Sequence, residues 1–384
     1  MRSIVAFACC LGLTFGCGTA SLSSGSCVNQ VSTPASSETA TPPAVPSPRC
    51  GLPSVLERPE WPRILPSTTA EEHEPPSEGT LTLAVLPDTQ YYSTCRYPHL
   101  RNQSAWLARE RGRRHLVAAL TLGDLTDHNT DDEWAFFKES VEPLGPDFPL
   151  LLTTGNHDTG TQGASDHRET SLSRYFDETF ASRGGHLRAV KTPGAIENAF
   201  YSIDLGKVRL GVLMLEWSPR LSTVQWANDV LVRFRDHRVV IATHAYLYDD
   251  GTRYDFARRR GEQRWSPFEY GTAVGSEATD PSFDGEMLWD ALVRRHPGVF
   301  LVVSGHVLGQ GSGHLTSRGD AGNVVHQVLV NYQMLDEGGL GYMRLIEFFP
   351  DGQTLHLKTY SPSLGLFSYS SEQDFRLQVE PPLF

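Results

Sequence analysis

The sequence predicts an α/β fold, a four-layer α-β-β-α sandwich with two mixed sheets face to face and helices outside. Three observations predict it. Between residues 81 and 153, short apolar runs alternate with stretches of helical period, which implies parallel strands joined by right-handed crossovers. From residue 199 onward a hairpin, two more buried runs and a β-rich C-terminus require a second group of strands, some antiparallel. Five of the runs end in Asp, Asn or His, at the strand end where open α/β sheets usually place their chemistry.

The chain opens with Arg2 and an apolar stretch from Ile4 to Phe15, followed by small residues. This is the pattern of an export leader, and it is too short to span a bilayer comfortably. Residues 1–16 are therefore read as a signal peptide. Thr14-Phe15-Gly16-Cys17 resembles a lipoprotein processing site, which would leave a lipidated Cys17 attached to a membrane; cleavage after Ala20 would release the protein instead. Either route makes it an exported protein, a cell-envelope lipoprotein or a secreted one. Residues 17–78 are rich in Ser, Thr and Pro, cannot bury a core and read as a disordered tether. Export permits a disulfide. Cys50 with Cys95 is one pairing, and unpaired cysteines are the alternative.

Order is expected over residues 79–384. Leu81–Leu86 is a strand ending in Pro87-Asp88-Thr89-Gln90, and helical period follows over Leu100–Arg111. Leu116–Leu122 is a second strand, running into Gly123-Asp124-Leu125-Thr126-Asp127. Thr130–Val141 is helical, with the acidic start that suits a helix N-terminus. Pro149–Thr153 is the third strand, and Gly155-Asn156-His157-Asp158 follows; taken alone, that run is also what a polar turn with a helix cap looks like. Ala199–Leu205 and Lys207–Leu215 form the hairpin, Ser222–Phe234 a helix, and Val239–Thr243 a strand ending in His244. Tyr246–Ser282 has no clear period, and a loop of that length is usually functional. Phe283–Arg295 is a helix and Val299–Val303 a strand ending in Ser304-Gly305-His306. Gly309-Gln-Gly-Ser-Gly313 reads as a flexible edge, without the Lys of a phosphate-binding loop. Strands at Val325–Val330, Tyr342–Phe349, Thr354–Tyr360 and Phe375–Val379 complete the chain.

Composition narrows the function. Of 384 residues, 39% are hydrophobic and 20% charged, as in an ordinary globular enzyme. A net charge of −12 makes nucleic acid an unsuitable partner, because such binding rests on basic surface. The strand ends carry carboxylates, imidazoles and an amide, a mixed oxygen and nitrogen set suited to divalent Mn, Fe or Zn rather than to a cysteine-rich structural zinc.

The ordered series Asp88-Thr-Gln90, Gly123-Asp-Leu-Thr-Asp127, Gly155-Asn-His-Asp158, Thr243-His244 and Gly305-His306 resembles the calcineurin-like metallophosphoesterases over residues 81–310. The variant it resembles has Asp-x-Gln in the first motif and a late Asn-Tyr-Gln, here Asn331-Tyr332-Gln333. The resemblance implies two divalent metal ions at the strand carboxyl ends. Asp124 would bridge them, Asn156, His244 and His306 would complete the second position, and Asp88 with Gln90 would hold the first. His157 would be the general acid, with Asp158 orienting it, and Asp127 would support a ligand. Two substitutions depart from the family: Gln90 stands where most members have His, and Leu308 where a second His is usual. The first position is thus expected to be weak, or filled by a harder ion such as Mn, Mg or Ca. His314 could compensate from the nearby loop, although an unrelated surface His is the simpler reading.

The implied activity is hydrolysis of a phosphate ester by metal-activated water, on a phosphorylated small molecule or lipid-type substrate. Tyr91, Tyr246 and Arg253 are the expected substrate-binding residues, with Tyr92, Tyr248, Arg264 and Tyr270 as further candidates. The alternative is a non-catalytic metal-binding or surface-interaction protein on the same scaffold.

Overall fold

The computed structural model describes residues 50, 66–67, 75–206, 208–274, 279–309 and 311–383. The expected leader (residues 1–16) and nearly all of the expected tether lie outside them.

One sheet runs β1 (Pro66–Ser67), β14 (Leu366–Ser368), β13 (Thr354–Ser361), β12 (Met343–Phe348), β2 (Leu81–Leu86), β3 (Leu116–Thr121), β4 (Leu150–Leu151), and β15 (Asp374–Gln378) pairs β13. In it β2, β3 and β4 are parallel and β12 is antiparallel to β2. The other sheet runs β10 (Ser312–Arg318), β11 (Val324–Val330), β9 (Val299–Ser304), β8 (Arg238–Ala242), β7 (Arg209–Met214), β6 (Ala199–Asp204), β5 (Leu187–Val190). Its members β7, β8, β9 and β11 are parallel, while β5, β6 and β10 are antiparallel to their neighbours. Both sheets are mixed, as expected.

Alternation along the strands decides the layers. Val212, Met214, Val240, Ala242 and Val303 share one core with Leu83, Val85, Leu120 and Ile346 of the facing sheet. The intervening Leu213, Val239, Ile241 and Val302 point the other way, onto Val224, Ala227 and Leu231 of the helix Leu221–Arg233 and Leu288 of the helix Gly285–Ala291. Helices His99–Glu110 and Asp131–Val141 cover the first sheet, with Trp106 packed on Tyr360 of β13. Thr130 caps the second of these by accepting from Glu133 N–H, ahead of Asp131, Asp132 and Glu133 in the first turn. Among the described residues no helix is long and apolar enough to cross a membrane.

Several expectations need correcting. Only Leu150 and Leu151 of the third expected strand pair, because the chain leaves the sheet early to reach the Gly155 turn. Ser312 and Gly313, expected in a flexible edge over Gly309–Gly313, open an edge strand, Ser312–Arg318. A short helix, Gln90–Cys95, follows β2 directly and ends on Arg96 in the left-handed conformation. Cys95, its last residue, is disulfide-bonded to Cys50 across a Cα separation of 5.4 Å.

Candidate metal centre

Because β2, β3 and β4 are parallel, and β8 and β9 likewise, the sandwich stacks the carboxyl ends of both sets. Asp88 follows β2, Asp124 follows β3, Asn156 and His157 follow β4, His244 follows β8 and His306 follows β9. Asp124, His244 and His306 are all buried, and each offers a ligand atom within 4.8 Å of the others, a group that could hold a metal ion.

The turns that deliver these side chains are tightly specified. Asp124 and His306 have φ of 50° and 72°, a left-handed backbone that is uncommon for side-chain-bearing residues and that clusters at functional sites. Two glycines make room for the carboxylates. A methyl group at Gly155 would overlap the Asp124 carboxylate, and one at Gly305 would overlap that of Asp88.

Main-chain carbonyls fix the imidazole tautomers. His244 Nδ1–H donates to Leu122 O at 2.7 Å, and His306 Nε2–H donates to Trp265 O at 2.7 Å. In the neutral rings this leaves lone pairs on His244 Nε2 and His306 Nδ1, which face each other at 3.0 Å. Asn156 Oδ1 lies 3.0 Å and Asp124 Oδ2 3.3 Å from the same His244 nitrogen. Four acceptors thus converge with no donor among them. Either a proton on His244 or a cation must occupy that point, and ligand imidazoles elsewhere are fixed in the same way by their second nitrogen.

The electrostatics agree. Burial pushes the Asp88 carboxyl above its usual range, with His244 opposing and Asp124 adding. Burial acts the same way on Asp124, but His244, His157 and His306 outweigh it and hold that carboxyl low. Burial disfavours charge on His244, yet Asp124 and Asp88 raise it, whereas burial and the neighbouring His244 keep His306 neutral. Gln90 is 0% exposed and neither its amide oxygen nor its nitrogen has a partner. A divalent ion would satisfy the Asp124 carboxylate, the imidazole lone pairs and the Asn156 amide oxygen together, so the residues present fit the metals that the sequence implied.

His157 is held by two hydrogen bonds. Its main-chain N–H donates to Asp124 Oδ1 at 2.9 Å, and its ring Nδ1–H to the Asp127 carbonyl at 2.9 Å. Nε2 is left free. Burial lowers the ring's affinity for a proton, but Asp124 and Asp127 raise it further. The expectation that Asp158 orients His157 is corrected. Asp158 is 0% exposed and accepts from Leu125 N–H, Thr126 N–H, the Thr126 hydroxyl and Gly155 N–H at 2.8–3.1 Å. It ties the loops after β3 and β4 together, and Asp127 is the residue beside the ring.

Of the expected substrate residues, the structure places Tyr91 by the centre. Burial and the charges of Asp127, Asp124 and Asp88 raise its phenol, but it is only 1% exposed. Tyr246 and Arg253 are corrected. Tyr246 is buried in the outer layer with its hydroxyl on Gln327 Oε1, and Arg253 lies over Trp289 beside Glu286. Both face the helical side of the second sheet, because Tyr246 sits two residues beyond His244 and the chain turns outward there. Arg264 is exposed, and Tyr248 accepts from its main-chain N–H. His314 packs on His326 and Phe375, away from the ligand group.

Sequence reasoning missed Trp217 and Trp265, named Asn331 only as part of a motif and offered Tyr270 only as a substrate-binding candidate. Trp217 packs on His244 and His306 at 5.4 and 5.1 Å between ring centroids, and its Nε1–H donates to Ser165 Oγ at 2.7 Å. Tyr270 stands against both Trp217 and His306. Trp265 supplies the carbonyl under His306, which brings the long 246–282 segment to the centre. Asn331, just past β11, donates through Nδ2 to Asp88 Oδ2 at 3.0 Å. Strand-end position could have pointed to Trp217 and Asn331; nothing in the sequence marks a carbonyl.

No protein-family model matches the chain. An uncharacterised protein of Bacillus subtilis (strain 168), YvnB, is 25% identical over 334 residues, which is 81% of this chain; the chain spans about a fifth of that relative's length (22%). Among solved structures, purple acid phosphatase PPD1 from yellow lupin seeds is similar with a TM-score of 0.47 and 15% identity, covering 79% of this chain and 55% of its own. GAP50, the anchor in the inner membrane complex of Plasmodium, has a TM-score of 0.40 and 10% identity, covering 79% and 90%. The NAD nucleotidase NadN of Haemophilus influenzae has a TM-score of 0.37 and 11% identity, covering 78% and 50%. At 10–15% identity none of these lends its activity to this chain.

Proposed function

We propose that the protein is a metal-dependent phosphoesterase, hydrolysing phosphate esters with His157 as general acid. One observation carries the reading: the acceptor atoms of His244, His306, Asn156 and Asp124 converge on one point, beside an imidazole whose second nitrogen is free. Asp124, Asn156, His244 and His306 would hold one divalent ion, and Asp88 and Gln90, with Asp124 shared, the other; Mn, Fe or Zn suits the nitrogen-containing set. Such a pair, when bound, neutralises the phosphoryl oxygens and lowers the pKa of an attacking water.

The chain's own residues do the rest. Asp127 O takes the Nδ1–H of His157, so in the protonated ring the transferable proton is the one on Nε2. The oxygen of a water that has given one proton to solvent bonds to phosphorus as the ester P–O bond breaks, and the departing oxygen takes the His157 proton, an effect typically worth roughly 10²–10⁴-fold. Asp158 keeps the loops of Asp124 and His157 in register. Trp217 and Tyr270 wall the imidazoles and keep bulk water off that side.

The substrate is taken to be a phosphorylated small molecule or lipid-type ester, and the location the cell envelope or beyond, through the leader and Cys17. Gln90 and Leu308, in place of two imidazoles, favour a second reading: a non-catalytic metal-binding or surface protein on this scaffold. The free Nε2 of His157 has no use in that reading. The experiment strips metal from the full chain and restores Mn, Zn, Fe or Ca singly. An aryl phosphate monoester and a diester are then assayed beside His157→Ala. Turnover with at least one metal, lost in His157→Ala, is expected. No turnover with any metal would sink the enzyme, and turnover indifferent to His157→Ala would sink the general acid.

A further inference from the structure

The first cation position, as the resemblance draws it, has too few ligands. Leu308 is buried and apolar and cannot serve. The structure brings up a different segment. Strand β11 is parallel to β9, so its carboxyl end lies on the same side as His306, and Asn331-Tyr332-Gln333 leaves from it. Gly311 clamps this exit: Asn331 N–H donates to Gly311 O at 2.8 Å, and a methyl group at Gly311 would overlap the Asn331 carbonyl.

Two hydrogen bonds fix the Asn331 amide. Its Nδ2 donates to Asp88 Oδ2, and its Oδ1 accepts from Gln333 N–H, each at 3.0 Å. The Gln333 main chain is therefore two hydrogen bonds from Asp88. It is 3% exposed, and its Oε1 is buried without a partner. Gln90, two residues after Asp88, is 0% exposed with both amide atoms unpartnered. A buried carboxamide oxygen lacking a partner costs about 1–3 kcal/mol, so Gln90 Oε1 and Gln333 Oε1, one two residues after Asp88 and the other on the segment that Asn331 ties to it, point to a cation that satisfies both.

We propose that Gln333, placed by Asn331, completes the first cation position with Asp88, Gln90 and Asp124, so that carboxamide oxygens replace imidazoles there and the position takes a hard divalent ion such as Mn, Mg or Ca. The inference rests on the two-ion reading of the site. Its chemistry is ligand hardness: two carboxylates and two amide oxygens make an oxygen-only set, whereas the His244 and His306 position keeps its nitrogens. Asn331 is a positioning residue, since it acts through Asp88.

The test is Mn(II) binding to the metal-stripped full chain, counted by calorimetry and by loss of the free Mn(II) paramagnetic signal. Wild type is expected to take two ions. Gln90→Leu and Gln333→Leu should each take one, and Asn331→Ala should bind the same ion about tenfold more weakly. Gln333→Glu keeps an oxygen and adds charge, so one of its two ions should bind at least about tenfold tighter. That gain cannot come from misfolding. Two Mn(II) held by Gln333→Leu with unchanged affinity, no gain in Gln333→Glu, or a single ion in wild type would each overturn the proposal. No readout here depends on turnover. A chain that binds as expected yet hydrolyses no phosphate ester would retain this site and lose the phosphoesterase reading.

Discussion

The Nδ1 of His157 lies 2.9 Å from the carbonyl oxygen of Asp127 and 3.3 Å from its Oδ1. The carbonyl sets the tautomer, and any residue at 127 would supply one. The carboxylate is what stabilises a charged ring. Asp127→Asn is therefore expected to lower kcat by about tenfold while leaving Mn(II) affinity within about twofold. Steady-state kinetics beside calorimetry checks this; an equal loss of metal binding would make Asp127 a support for the ligands instead.

Asp158 has the opposite profile. Its four donors span the loops after β3 and β4, and it touches neither the ring of His157 nor a metal-ligating atom in any observed bond. Asp158→Ala should cost roughly 3 kcal/mol in urea unfolding, because buried N–H groups lose a charged acceptor. The fraction that remains folded should keep its pH–rate profile. A profile displaced as in Asp127→Asn would restore Asp158 as the partner of His157.

Trp217 is expected to matter through shape. Trp217→Phe keeps the ring against His244 and His306 and loses the bond to Ser165, a change of about 1 kcal/mol. Trp217→Ala opens a cavity beside both imidazoles, and roughly 3–5 kcal/mol of stability should go. On the proposed reading, affinity for a divalent ion at these imidazoles should fall about tenfold. Thermal unfolding with and without Zn reads both effects. An Ala variant whose Zn-induced shift equals that of wild type would remove Trp217 from the site.

Histidines remote from the centre predict the acid limb of stability. Burial lowers His296 and His326 below the ordinary 6.5. A ring neutral in the fold and charged when unfolded contributes stability that is complete above 6.5 and drains as pH falls toward the folded value. His296→Asn should thus lose less stability between about pH 7 and 5.5 than wild type does. Urea midpoints at both pH values decide it, and a steeper loss in the variant would refute the sign.

The strands bearing ligands were legible because burial on both faces demands continuous apolar runs, as in Leu81–Leu86 and Val299–Ser304. Edge strand β10 was not, since Ser312–Arg318 alternates exposed polar residues with small or half-buried ones and opens in glycines. Helix Gln90–Cys95 is too short to show a period. At the centre, side-chain ligands carry their identity in the sequence. The groups that orient them are carbonyls of Leu122, Asp127 and Trp265, which any residue could provide. Asn331 showed its motif but not its partner, because Asp88 is 243 positions away.

The bond between Cys50 and Cys95 has a mechanical consequence. Tension on the chain ahead of residue 50 reaches the body by two covalent routes: along the backbone to the β1–β14 pairing, or across the disulfide. The disulfide is the shorter, and it lands on the last residue of a helix whose first residue is Gln90. A load would be delivered to the short helix that opens on the buried Gln90. Reducing the bond would reroute that load to the edge of the first sheet, far from the centre.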